Sequence, residues 1–268
     1  MEEDDRHMNI VVCVKYVPDA QADRTFNEDN TTDRSNVDGL LSELDEYAVE
    51  AALKLVEGSE DEVTVLTVGP DGAADAIKKA LQMGAHKGVH VLDDAIHGSD
   101  APATSLVLAE AVKKASGGTP ELVLMGLAST DGTMSVVPAM LSERLGLPQV
   151  TQLSTLEVAD GVVKGRRDSD TASDSFEAPL PAVVSVTDQI NEPRYPSFKG
   201  IMAAKKKPVE TWSLADLGVD AGQVGLDNAA TKVTSFTARP PREQGEIVTD
   251  EGDGGTKLAE FLAKAKLI

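Results

Sequence analysis

The sequence predicts an α/β fold: a parallel sheet covered by helices on both faces. Three observations lead there. Short, nearly continuous apolar runs recur through the first two-thirds of the chain, at Asn9–Tyr16 (NIVVCVKY), Val63–Val68 (VTVLTV) and Glu121–Met125 (ELVLM). Segments with apolar residues at helical spacing lie between them, and short Gly-containing turns join the two kinds of segment. Runs without polar alternation are what strands buried on both faces require, and alternation with helices is the pattern of parallel crossover units.

Taken in order, Asn9–Tyr16 reads as the first buried strand, and Gln21–Gly39, polar and without periodicity, as a long loop. A helix begins near Ser42, which can cap it, with Asp45 as a weaker capping-box partner. Its apolar stripe is Ala48, Ala51, Ala52 and Leu55, and Gly58 is placed to end it. Val63–Val68 is a strand, Gly69–Pro70 a turn, and Ala73–Met83 a helix ending at Gly84. Gly88–Leu92 reads as a short strand, Ala101–Ala115 as a helix, Glu121–Met125 as a strand and Thr133–Leu145 as a helix. Beyond Pro148 the strands Leu153–Val158, Val162–Arg166 and Ala182–Thr187 follow without helices between them, with Asp160–Gly161 as a hairpin turn. From Pro208 the periodicity weakens until a last helix near Thr256–Lys266, with Leu258, Phe261, Leu262 and Ala265 on one face. Such a stretch is either an arm that packs on a partner chain or a mobile tail. The expected division is an α/β nucleotide-binding-type domain over residues 1–207 and a C-terminal arm over 208–268.

Composition excludes several classes of function. With 45 acidic against 25 basic residues, the net charge of −20 does not suit nucleic acid. The acidic residues are dispersed and lysines few, which resembles a halophilic, high-salt-adapted surface. No apolar run approaches the ~20 residues of a membrane helix. The acidic N-terminus lacks the order of a secretory signal, so a chain that is cytoplasmic and not membrane-embedded is expected. The single Cys13 rules out an internal disulfide and lies in an apolar run, where a buried structural thiol is the plain reading.

Ligands of open α/β sheets bind beyond the carboxyl ends of the strands, here the loops after Tyr16, Val68 and Met125. The third, Gly126–Pro138 (GLASTDGTMSVVP), is rich in small and hydroxyl residues and leads into a helix. Backbone amides there, with the Thr133 and Ser135 hydroxyls, suit a phosphate. The alternative is an ordinary helix start capped by Asp131 or Thr133. No Walker or GxGxxG pattern is present. The histidines His7, His86, His90 and His97 show no metal-ligand spacing, and no residue stands out as catalytic. Asn191–Pro208 (NEPRYPSFKGIMAAKKKP) differs from the rest: Arg194, Lys199, Lys205, Lys206 and Lys207 interleave with Tyr195, Phe198, Ile201 and Met202. Apolar anchors rimmed by charge suit a protein docking site. The alternative is a loop with Ile201 and Met202 packed inward.

VVCVKYVPD, LDEYAVEAALKL, VTVLTVGP, KKALQMGAHKGVHV, LVLMG, LPAVVSVT and NEPRYPSFKGIMAAKKKP follow one another here in order and spacing. Over residues 9 to 218 this series resembles the β subunits of electron transfer flavoproteins. The resemblance implies a Rossmann-like, adenine-nucleotide-hydrolase-like sheet domain and a C-terminal arm that embraces an α subunit. It implies one FAD shared with that α subunit, with AMP, or in bifurcating members a second FAD, in the β chain. The implied work is carriage of electrons from acyl-CoA or other dehydrogenases to a quinone oxidoreductase, so the chain is a carrier subunit and not an enzyme by itself.

Carried over by position, Cys13, Ser42, Leu44, Asp45, Val68, Asp131, Thr133, Ser135 and Val136 fall at nucleotide-contacting places. Arg194, Tyr195, Phe198, Ile201, Met202 and Lys206 fall in the partner-docking loop, with Phe198 as its anchor. Departures accompany the match. Where relatives read QAxDxDTGQVGP this chain reads LASTDGTMSVVP, so Ser135 and Val137 replace glutamine and glycine. SELD stands for an NPFD-like string, and Asp170-Thr171-Ala172 for D-G-G. A Val137 β-carbon limits how closely a phosphate can approach the backbone. The competing reading is a stand-alone nucleotide-binding regulatory protein of the stress-protein type.

Overall fold

Seven parallel strands form the sheet that organises the chain. The structure is a computed structural model and describes residues 8–242, 244, 245 and 247–268; the acidic start of the chain and His7 lie outside these. In chain order the elements are β1 (Asn9–Cys13), β2 (Tyr16–Pro18), β3 (Gly39–Leu41), α1 (Glu43–Leu55), β4 (Glu62–Val68), α2 (Ala74–Met83) and β5 (Lys87–Val91). Then come α3 (Ala101–Ala115), β6 (Leu122–Gly126), α4 (Val137–Leu145), β7 (Gln149–Leu153), β8 (Thr155–Ala159), β9 (Val162–Asp168), β10 (Ser173–Pro179) and β11 (Ala182–Val186). The last are α5 (Phe198–Ala204), β12 (Val209–Trp212), α6 (Leu214–Leu217) and α7 (Gly254–Lys264). The main sheet runs in the order β12-β5-β4-β1-β6-β11-β7, all neighbours parallel.

The apolar runs are the central strands because both faces of each are covered. Ile10 and Val12 of β1 join one core with α1 and α2, while Val11 and Cys13 join another with α3 and α4. Strand alternation thus feeds two cores at once.

Several boundaries differ from the sequence expectations. The first run is two strands: β1 stops at Cys13 and β2 turns away to pair antiparallel with β3. Leu153–Val158 is likewise two strands, since β7 ends in the main sheet and β8 starts a separate antiparallel sheet, β10-β9-β8. The buried Ser154 makes the break, its amide and hydroxyl both donating to the Arg166 carbonyl, at 2.7 and 3.1 Å. β10 (SDSFEAP) went unpredicted; its acidic, alternating sequence is stabilised by seven residue pairs with β9. The first helix keeps Ser42 at its N-cap, but no side-chain cap bond forms, and it ends at Val56 before Gly58. The fourth begins at Val137 and not at Thr133.

The chain also rejoins the sheet after Pro208. β12 adds to the edge beside β5, and α6, closed by a capping box of Ser213 and Asp216, follows it. Residues up to Thr234 therefore cluster with the sheet, and Ser235–Ile268 form a second unit that begins well after residue 208. Within that second unit α7 leaves Leu258 and Phe261 more than half exposed. Among the described residues no helix is long and apolar enough to cross a membrane.

Candidate functional site

The carboxyl ends of β1, β4 and β6 open into a cavity of about 1380 Å³. Cys13, Val68 and Met125 form part of its floor, and Asp45, Ser129, Gly132 and Ser135 part of its rim. The segment Leu226–Val233 closes another side. This segment is tied to the loop before α3: the Gly225 amide donates to Ser99 Oγ at 2.8 Å and the Thr231 amide to Asp100 Oδ2 at 2.8 Å.

Of the nine positions carried over to a nucleotide, Cys13, Asp45, Val68 and Ser135 line this cavity. Ser42, Leu44, Asp131, Thr133 and Val136 are not among its lining residues, and Thr133 is exposed to solvent. Ser42 is fully buried and its hydroxyl has no hydrogen-bond partner among the described residues. The Leu44 carbonyl and Asp45 carboxylate press on Gly126: a β-carbon there would lie 2.6 and 2.5 Å from them. Only glycine lets β6 end against the start of α1.

Asp45 is no capping-box residue. Its Oδ2 accepts the Lys15 amide at 2.8 Å, pinning the end of β1 to α1. Burial pushes its carboxyl up to about 7, partly offset by the bonds from Lys15 and Gly126. Burial, then the Asp45 charge, push the Cys13 thiol up to about 12, so it is an inert, protonated wall group.

Asp131 does not cap α4 either. Its side chain is 2% exposed and lies between Lys15 Nζ, at 2.8 Å, and the Arg34 guanidinium. Burial alone would raise its carboxyl; Lys15 and Arg34 together hold it far below the usual range. Burial correspondingly lowers Lys15, against the pull of Asp131. Sequence reading missed this cluster, because its members are 116 and 97 residues apart and nothing local links them.

With Asp131 so engaged, α4 starts at Val137, and its N-cap position, Val136, supplies no side-chain cap. Thr133 and Ser135 both take positive φ, 50° and 57°, a conformation costly for residues with a β-carbon. Alternating handedness of this kind turns successive amides to one side. Among the described residues the amides of Ser135, Val136 and Val137 donate to no group of the chain. These amides, the positive end of α4 and the apolar floor fit a phosphorylated, partly apolar ligand.

The second candidate region is 191–207. Ser197 caps α5, accepting from the Gly200 amide. Tyr195 is 92% and Phe198 81% exposed, and Ile201 and Met202 also face solvent, which sets aside the inward-packed alternative. Arg194 is instead drawn onto Glu50 of α1. Lys206 is exposed, whereas its neighbour Lys207 donates to the Leu81 and Gly84 carbonyls at 2.9 and 3.1 Å. Among the described residues no group of acidic, His or Cys side chains is arranged for a metal.

Residues 29–217 match the family model described as the electron transfer flavoprotein domain. An electron transfer flavoprotein subunit β from Mycobacterium leprae is 50% identical over 266 residues, spanning 97% of this chain and 99% of that protein. The chain belongs to the electron transfer flavoprotein β-subunit family. A second β subunit, from Syntrophomonas wolfei, is 36% identical over 96% of both chains. The caffeyl-CoA reductase-Etf complex subunit CarD of Acetobacterium woodii is 32% identical over 90% of this chain and 92% of its own. Such end-to-end agreement leaves the stand-alone regulatory reading without support, since the match to whole β subunits covers 97% of the chain and so runs on beyond the last strand, β12.

Proposed function

We propose that this chain is the β half of a cytoplasmic, heterodimeric electron carrier. It would hold FAD jointly with an α subunit and carry electrons from acyl-CoA or other dehydrogenases to a quinone oxidoreductase. The observation that carries this reading is α5 and the turn before it: Phe198, Ile201 and Met202 of the helix and Tyr195 ahead of it are held outward beside Lys199, Lys205 and Lys206 on a protein of net charge −20. A local basic, apolar island on an acidic surface is an address for a partner with an acidic rim.

When bound, the flavin supplies the redox chemistry by accepting and releasing electrons. The chain's own part is to cover the flavin from one side, exclude water and present the docking face. Its cavity would take AMP, with the Ser135–Val137 amides and the start of α4 receiving the phosphate. Val68, Met125 and the protonated Cys13 thiol would supply the apolar floor. The Val137 β-carbon stands where relatives carry glycine, so the phosphate would meet the amide of Ser135 more freely than that of Val137. The exposed Leu258 and Phe261 of α7 would be covered by the α subunit, making 235–268 the arm.

A second reading, with FAD in place of AMP, draws on the size of the cavity, which exceeds the ~300–1,000 Å³ usual for small-ligand sites. Mass spectrometry of the ligands released from the denatured heterodimer separates the two. One FAD with one AMP is the expected result. Two FAD per heterodimer would replace AMP in this account, and one FAD alone would remove a nucleotide from the β cavity.

A further inference from the structure

Residues 191–207 leave β11 and are held by α1 and α2. Asn191 Nδ2 donates to the Tyr47 carbonyl of α1 at 3.0 Å. Three residues further along both segments, Arg194 meets Glu50. Its backbone amide, Nε and Nη2 donate to the two carboxylate oxygens at 3.2, 2.7 and 3.0 Å. The Glu50 side chain is only 3% exposed. A carboxylate withdrawn from water on a helix is costly unless its oxygens are all engaged. Here both are engaged, chiefly by this one arginine, with Lys54 at 3.9 Å as a distant second.

Holding α1 on the sheet does not require the pair, since Ala48, Val49 and Ala52 already bury its apolar face. What the pair fixes is the direction in which the chain leaves α1, three residues before the Ser197 cap. The far end of α5 is held separately, by Lys207 on the carbonyls of Leu81 and Gly84 at the end of α2, and the body of the helix rests on α2 through the close approach of Gly200 to Gln82. Losing one hold therefore leaves the other in place.

We propose that Glu50 is a positioning residue for electron transfer: by gripping Arg194 it sets the angle at which α5 presents Phe198, Ile201 and Met202 to the electron-donating dehydrogenase. This rests on the docking reading of α5 given above. Arg194 is spent on Glu50, with Glu57 as a weaker second carboxylate at 3.5 Å, and offers no free charge to the partner. The lysines at 199, 205 and 206 supply the basic rim. Bidentate, charge-assisted pairing with a buried partner makes the attachment stiff, which lowers the ordering cost of docking.

The test uses the FAD-loaded heterodimer with an acyl-CoA dehydrogenase as donor and a dye as terminal acceptor. Glu50→Gln, Glu50→Ala and Arg194→Ala are compared with Phe198→Ala. Glu50→Ala is expected to raise the KM for the carrier about tenfold while leaving kcat and FAD content unchanged, with Glu50→Gln intermediate because it keeps one acceptor oxygen. Combining Glu50→Ala with Arg194→Ala should add nothing to either alone. Tryptic cleavage after Lys199 should quicken in the same order, with dithionite reduction of the flavin unaffected. Should Glu50→Ala fail to fold, the Gln variant and Arg194→Ala carry the comparison. If Phe198→Ala raises KM but the Glu50 and Arg194 variants change neither KM nor cleavage, the positioning role is overturned. If Phe198→Ala leaves KM unchanged, the docking reading itself falls; cleavage at Lys199 then still decides whether Glu50 holds α5.

Discussion

Gly200 of α5 stands so close to Gln82 of α2 that a β-carbon built on it would lie 2.5 Å from the Gln82 carbonyl oxygen. Four residues on, Ala204 is the one buried residue of α5. The helix is thus seated through its smallest side chains at i and i+4, and its large apolar side chains point away from the protein. A helix stabilised only by its own packing would be the other way round. Gly200→Ala is expected to push α5 off α2 and cost about 1–3 kcal/mol, the usual penalty of overpacking. Thermal unfolding and the protease sensitivity of Lys199 check it; an unshifted midpoint with unchanged cleavage would show that α2 gives way instead.

Asp45 makes stability depend on pH in an unusual direction for a carboxylate. Its carboxyl stands near 7 in the fold against 3.8 in an open chain, so between those values the folded state binds more protons than the unfolded one. Stability from this group is therefore complete below about pH 4 and is lost as pH rises toward 7, by on the order of 4 kcal/mol. Asp45→Asn should flatten that part of the stability profile, measured by urea unfolding at pH 5, 6 and 7. Parallel profiles for the two proteins would contradict the assignment.

Asp131 acts in the opposite sense. Held low by Lys15 and Arg34, it contributes stability that is present above about pH 4 and lost as pH falls through its depressed folded value. Asp131→Asn leaves two cations facing each other and should cost about 3–5 kcal/mol at neutral pH, the difference from the parent narrowing in acid. Because Lys15 and Arg34 then lack an anion, inorganic phosphate should raise the variant's unfolding midpoint more than the parent's. Equal responses to phosphate would show that the two cations, although they line the cavity, do not capture an anion when Asp131 is removed.

The dispersed acidic surface carries its own test. At a net charge of −20 self-repulsion opposes compaction, and salt screens it. Raising KCl from 0.1 M to about 2 M should raise the unfolding midpoint by several degrees. A flat response would remove the salt-adapted reading.

How much of this was legible in the sequence follows from the range of the interactions. β1, β4, β6 and β11 could be read because strands buried on both faces must be apolar throughout. β10 and β12 could not, because one is acidic and the other a four-residue edge, and pairing with a distant strand is what makes each of them a strand. Cys13, Asp45 and Val68 were placed at the cavity by the family resemblance, and they reach it because β1 and β4 end, and α1 begins, at the carboxyl edge of the sheet; Ser135 could be read from its loop after β6, a place the fold class itself marks. The start of α4 was misread because Asp131 and Thr133 look like caps locally, whereas Asp131 is claimed by two cations from remote loops. Glu50 was invisible for the same reason: on a helix rich in Glu and Asp, only its distant partner Arg194 distinguishes it.

In the proposed carrier two chains hold the flavin jointly. The most direct measurement expresses this chain alone and together with an electron transfer flavoprotein α subunit, and determines flavin absorbance and FAD per mole after gel filtration. The expected result is a colourless chain alone and a yellow one-to-one complex that holds its FAD through the column. A stable, flavin-loaded monomer, or a complex whose FAD remains when this chain is stripped away with equal affinity and unchanged spectrum, would contradict it.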